Sequence, residues 1–214
     1  MLDSGVNSSS AISRNERAAS WRRFLLASRY KKIVTYSGGM QAERGIADLL
    51  NAAESFPDVR FVFVGGHKND LDLWRSAVLG SGTSNIKMLG YQPHDVVCEI
   101  QQDSDILVAS RSVAGRPSVT SPLKFFEYLL SGVPVIAPDI AALRRFAQKN
   151  LVLRYYDHTQ PQTLVHAIRS ELAEERRWPH RVMENIEYGM SYTWEARQRR
   201  LFDFIGSIDS RSTF

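Results

Sequence analysis

With 214 residues, 43% hydrophobic and 23% charged, the chain can fill one core and has the make-up of a folded domain, not of a disordered or fibrous segment. Its formal net charge of +4 suits acidic small molecules, a membrane surface or nucleic acid alike. The lone Cys98 excludes an internal disulfide and a cysteine-built zinc site, and no apolar run is long enough to span a bilayer.

Residues 1–13 are rich in Ser, Asn and Gly and read as a linker from the middle of a larger protein. They lack a secretory signal pattern, so the expected compartment is cytoplasmic, with peripheral membrane contact left open. Residues 16–28 read as a helix, with Ala18, Trp21, Phe24 and Leu25 on one face and Arg17, Arg22 and Arg23 opposite. A first strand over 32–36 (KIVTY) runs straight into SGGMQAERG. Two glycines between a strand and a helix let the backbone approach a ligand closely. A helix over 46–55 turns Ile46, Leu49, Leu50 and Ala53 inward, and a second strand over 59–64 ends in Gly65 and Gly66. A helix over 71–79, a short strand over 85–89 and a helix over 93–101 opened by Pro93 follow. A fourth strand over 105–109 (DILVA) leads into a polar loop over 110–120.

Residues 120–139 (TSPLKFFEYLLSGVPVIAPD) are the most informative stretch and read as helix, stop, strand. Ser121 is a good N-cap, and Pro122 suits a first helical position, where its missing N–H would have no partner anyway. Phe125, Phe126, Leu129 and Leu130 form one apolar face, and Gly132 supplies a left-handed C-terminal residue. Residues 133–137 are a short run suited to a buried parallel strand. Lys124 breaks the local rule: a cation in the first helical turn meets the positive end of the macrodipole, which favours an anion in front of it. Glu127 lies on the same face, about 4.5 Å along the axis, where a carboxylate would accept hydrogen bonds from the hydroxyls of a ribose. Phosphate at the helix tip and ribose one turn in make a nucleotide site; a solvated Lys–Glu pair is the other reading.

The chain continues with a helix over 140–146, a sixth strand over 151–154, and helices over 159–175, 179–189 and 193–205. The expected division is a linker-like 1–13, one domain over 14–207 and a polar tail over 208–214. Strands alternating with helices predict a doubly wound α/β fold, a parallel sheet of about six strands with helices on both faces. In the common order 3-2-1-4-5-6, strands one and four are neighbours at the topological switch point. The loops over 37–45 and 110–121 would then meet in the crevice where ligands bind.

Gly38, Gly39 and Arg44 would hold a diphosphate from the far side of that crevice, or form a plain turn with a surface arginine. Gly65, Gly66 and His67 fit a crevice wall or a turn equally. Tyr91, after the third strand, would flank a base or sit exposed. SGGMQA matches neither the dinucleotide fingerprint nor the P-loop, which argues against dehydrogenase and NTPase readings. His67, His94, His158, His166 and His180 have no metal-ligand spacing, so no metal is expected. Arg197, Arg199 and Arg200 are interleaved with no stacking aromatics, which argues against nucleic acid.

Taken together, these stretches resemble the C-terminal domain of a GT-B glycosyltransferase of the large group 1 family. The segment from Tyr36 to Ile46 resembles that family's YxGRLxxEKGI, and the one from Asp105 to Ser110 resembles its aD(v/i)xvxPS strand. The segment from Ser121 to Ile136 resembles the variant SPxKxxEYxxxGxPVI, and the one from Ser191 to Glu195 a Ser-Trp segment of its last helices. The resemblance implies a nucleoside-diphosphate sugar as donor substrate and no separate cofactor. Arg44 stands where a lysine usually contacts the diphosphate. Glu127 stands at the second glutamate of E-x7-E, which binds the ribose. The N–H groups near Leu123 and Lys124 would face the phosphates, with Thr120 and Ser121 beside them. Two positions depart from the pattern: Gly39 replaces a phosphate-binding arginine, and Val119 replaces the first glutamate of E-x7-E. Met1 to Asn7 resembles an interdomain segment, so the chain reads as the donor half of an enzyme whose acceptor site lies on another domain or a partner chain. A non-enzymatic nucleotide-binding module and a sugar-nucleotide epimerase are the alternatives.

Overall fold

In the computed structural model, which describes residues 6–8, 20–26, 29–111, 123–174 and 178–209, six strands form one sheet. They are β1 (Lys32–Ser37), β2 (Val59–Val64), β3 (Ile86–Gly90), β4 (Ile106–Val108), β5 (Val135–Pro138) and β6 (Leu153–Tyr156). Every neighbouring pair is parallel and the order is β3-β2-β1-β4-β5-β6. The switch point therefore falls between β1 and β4. The helices are α1 (Ser20–Leu26), α2 (Ile46–Glu54), α3 (Lys68–Ser81), α4 (His94–Gln102), α5 (Leu123–Leu130), α6 (Ala141–Arg144), α7 (Pro161–Ala173), α8 (Trp178–Met190) and α9 (Trp194–Asp209).

The strands read as continuous apolar runs because successive side chains feed different cores. Tyr36, Phe63, Val108, Ile136 and Tyr156 point to one face, where Ile46 and Leu49 of α2 and Leu164 and Ile168 of α7 cover them. Leu107, Val135 and Ala137 point to the other, against Phe125, Phe126 and Leu129 of α5. Ile33, Val62 and Val64 also face that side, beneath Leu25 of α1 and Ile100 of α4. Burying each such side chain contributes about 1.5–3 kcal/mol, so both faces are needed to hold the sheet.

Element edges differ from the sequence reading for identifiable reasons. The ladder of β5 starts at Val135, not residue 133, because Pro134 has no N–H; its carbonyl accepts from the Leu107 N–H at 2.9 Å. β6 begins two residues later than expected because the Val152 N–H donates to Asn185 Oδ1 at 2.9 Å, outside the ladder. α3 begins at Lys68 instead of 71, its exposed start laced by a Lys68–Asp72 pair at 2.5 Å. Gly132 has φ 70°, as the end of α5 requires. Ser121 and Pro122, predicted to open that helix, lie outside the described residues.

Val6 is buried and hydrogen-bonded to both sides of the α8–α9 junction, from its N–H to Tyr192 O and from the Trp194 N–H to its carbonyl, each at 3.0 Å. Among the described residues, no helix is long and apolar enough to cross a membrane, and no group of three or more His, Cys, Asp or Glu is placed to hold a metal.

Candidate functional site

A cavity of about 510 Å³ opens at the carboxyl ends of β1, β2 and β3. Its wall includes Ser37, Gly38 and Gly39 after β1, Gly65 to Lys68 after β2, Tyr91 and Gln92 after β3, and Lys124 and Glu127 from α5. A smaller cavity of about 330 Å³ lies at the opposite sheet edge. The Arg22 and Lys32 charges there are satisfied by Asp105 at 2.9 and 3.1 Å. The larger cavity is the candidate site, because groups predicted from two distant segments meet in it.

The β1 loop is pinned from below. The Ser37 N–H donates to the Tyr128 hydroxyl at 2.8 Å, and that hydroxyl donates to Ser37 O at 3.3 Å. Gln101 Nε2 donates to Ser37 Oγ at 3.0 Å. Tyr128 is fully buried on α5, so this network fastens the helix carrying Lys124 and Glu127 to the strand carrying the glycines. Tyr128→Phe leaves the Ser37 N–H buried without that acceptor and is expected to cost about 1–3 kcal/mol, read as a lower thermal midpoint by calorimetry.

Gly38, at φ 132°, brings the loop close to Lys124: a Cβ there would stand 2.6 Å from Nζ. Lys124 lies along the cavity, with part of its surface open to it and its ammonium 4.1 Å from the centre of the Tyr36 ring. Burial, then the nearby Arg44, pull its amine down from 10.5 to about 7, and Glu127 opposes them by less. Burial raises the Glu127 carboxyl above its usual range, against the pull of His94 and Lys124.

Arg44 closes a 3-10 turn (Ala42–Arg44) and is exposed. It does not line the cavity, but its charge reaches both Lys124 and Tyr36. Its carbonyl accepts from Ser110 Oγ at 2.8 Å, so the loop after β4 is tied to the turn after β1. Gly45, at φ 73°, makes that contact possible: a Cβ would lie 2.5 Å from the Arg111 carbonyl carbon. Gly45→Ala adds backbone strain to that clash and is expected to destabilise by about 2 kcal/mol or more, measurable by urea unfolding.

The structure thus brings Gly38, Gly39, Lys124, Glu127 and Tyr91 to one cavity with Arg44 at its margin. Tyr91 is 82% exposed on the rim and Leu123 is exposed at the start of α5. Thr120, Ser121 and Val119 lie outside the described residues. The sequence reading missed Tyr36, Tyr128 and Gln101. A tyrosine in an otherwise apolar helix or strand is a usable signal, because its hydroxyl must find a partner when buried.

The profile of one family, described as glycosyl transferases group 1, matches residues 31–174. No curated protein matches the sequence. Among solved structures, a glycosyltransferase from Rickettsia africae superposes with a TM-score of 0.79 at 14% identity, over 97% of this chain and 56% of that one. Sucrose-phosphate synthase from Thermosynechococcus elongatus gives 0.75 at 18%, over 97% and 52%. Anabaena HepE, in complex with UDP and glucose, gives 0.77 at 13%, over 95% and 55%. The chain spans about half the length of each of these three structures.

Proposed function

The chain belongs to the group 1 glycosyl transferases, and on that premise we propose that it forms the nucleotide-sugar-binding half of an enzyme that moves a sugar from a nucleoside diphosphate to an acceptor. The observation that carries this reading is the meeting of Lys124 with the Gly38–Gly39 loop and the Arg44 charge at the carboxyl edge of the sheet. Glu127 lies one turn further along the same wall.

In the reaction, the bond between the sugar's anomeric carbon and the β-phosphate oxygen breaks. The acceptor oxygen forms the new bond, and its proton is released with the diphosphate product. Charge grows on the leaving diphosphate, and on this reading Lys124, Arg44 and the N–H groups at the start of α5 neutralise it. Glu127 accepts from the ribose hydroxyls. With Gly39 in place of an arginine, Lys124 carries more of the phosphate charge. The HepE complexes with UDP and UDP-glucose support a nucleotide-sugar ligand for this fold.

The half-length match supports a second requirement: the acceptor site is supplied by another domain or by a partner chain. The competing readings are a binding module without transfer activity and an epimerase of related fold. A thermal-shift panel of UDP-, GDP- and ADP-sugars tests the donor site. A ligand at 100 times its dissociation constant stabilises by about 2.7 kcal/mol and moves the midpoint by several degrees. No shift with any of them overturns the reading. Product analysis with and without acceptor separates transfer from epimerisation.

A further inference from the structure

Tyr36 lies beneath the donor site without an assigned part in it. It is fully buried at the end of β1. Its hydroxyl donates to the Gly39 carbonyl at 2.5 Å, and its ring faces the Lys124 ammonium at 4.1 Å. Taking the donor-binding reading as its ground, we propose that Tyr36 is the positioning residue for Lys124: the ring face holds the ammonium over the diphosphate site, and the hydroxyl locks that ring to the Gly38–Gly39 turn.

The groups around Lys124 leave this task to the ring. Arg44, from the 3-10 turn, repels its charge, and Glu127, on its own helix, attracts it by less. Glu127 is itself shared with His94 of α4. His67 and Lys68, at the start of α3, line the same cavity and add no negative charge. The negative face of an aromatic ring attracts a desolvated cation without the cost of burying a second charge. The hydroxyl has a separate effect. It holds the Gly39 carbonyl by a hydrogen bond from beneath the turn.

A purely structural Tyr36 would fill core volume against Phe63, whose ring lies 6.2 Å away. The two roles separate when the ring's charge distribution changes and its shape does not. The experiment compares the wild type, Tyr36→Phe and a chain carrying a polyfluorinated phenylalanine at position 36. The titration of the Lys124 side chain is followed by NMR on labelled lysine, first without ligand. Tyr36→Phe is expected to leave the Lys124 midpoint near the wild-type value, and the fluorinated ring to lower it by about one pH unit. UDP-glucose, whose diphosphate has no ionisation in this range, then serves as probe by calorimetry. The fluorinated chain should bind it about tenfold more weakly than Tyr36→Phe at about pH 8, the two converging at about pH 5.5.

An unmoved Lys124 midpoint in the fluorinated chain overturns the proposal. So does a loss of affinity that is the same at every pH. If wild type fails to bind UDP-glucose while the midpoint still falls, the UDP-glucose form of the donor reading fails and the Tyr36–Lys124 coupling stands.

Discussion

Lys124→Met is expected to do two opposite things: raise the thermal midpoint of the ligand-free chain and abolish its response to a nucleoside diphosphate. Burial and Arg44 hold the Lys124 amine at about 7 when folded, against 10.5 as the ordinary value. The folded chain therefore carries that charge at a cost on the order of 5 kcal/mol. The sign follows from proton counting. Between about 7 and 10.5 the unfolded chain binds more protons at this residue, so stability climbs as pH rises through that window. Below about 7 both states are charged and the full cost is present. Methionine removes the charge and keeps the stem's packing. Its advantage should be largest at about pH 6, roughly 10 °C or more in midpoint, and fade towards about pH 10. With the complementary half present, transfer should fall by about 100- to 1000-fold, the loss typical of one preorganised donor. Calorimetric scans across pH, with and without UDP, check both halves. A variant that melts lower at every pH, or still responds to UDP, would show that Lys124 is a packing residue and not the phosphate cation.

That trade also explains why Lys124 was visible in the sequence. A lysine in the first turn of an apolar helix has no local justification, and local rules fail where a ligand is awaited. The strand order was legible for a different reason: parallel strands linked through helices leave few topologies. Gly132 was legible as a stop because a left-handed residue is needed wherever α5 must end. The network beneath the site was not. Tyr128 meets Ser37 across 91 residues of chain, and a tyrosine among the apolar residues of α5 signals a hydroxyl in need of a partner without saying which backbone group it takes. The displacement of β6 was hidden likewise, since the group taking the Val152 N–H belongs to Asn185, 33 residues on. In both cases a side chain from a distant element competes for a backbone group, and local pattern carries no trace of that competition.

Glu127→Gln should remove most of the preference for a ribose over a deoxygenated sugar, and this is the sharpest test of the second contact. The carboxyl shares the cavity wall with Lys124. Burial raises its pKa above the ordinary 4.5. The folded chain thus holds that proton more tightly than the unfolded one, and stability falls as pH rises from the unfolded value through the folded one. The ionised carboxylate is favoured again when hydroxyl donors arrive, because two charge-assisted hydrogen bonds replace lost water. At about 1.5–3 kcal/mol each before desolvation, they should let wild type prefer UDP over 2′,3′-dideoxy-UDP by roughly 100-fold. Glu127→Gln keeps one neutral acceptor oxygen and should prefer UDP by only about 10-fold or less, and the ligand-free variant should be more stable than wild type at neutral pH. The cycle of two proteins and two ligands isolates the contact from any general disturbance of the cavity. If both proteins discriminate equally, the ribose is held elsewhere on the wall, and α5 contributes only its tip.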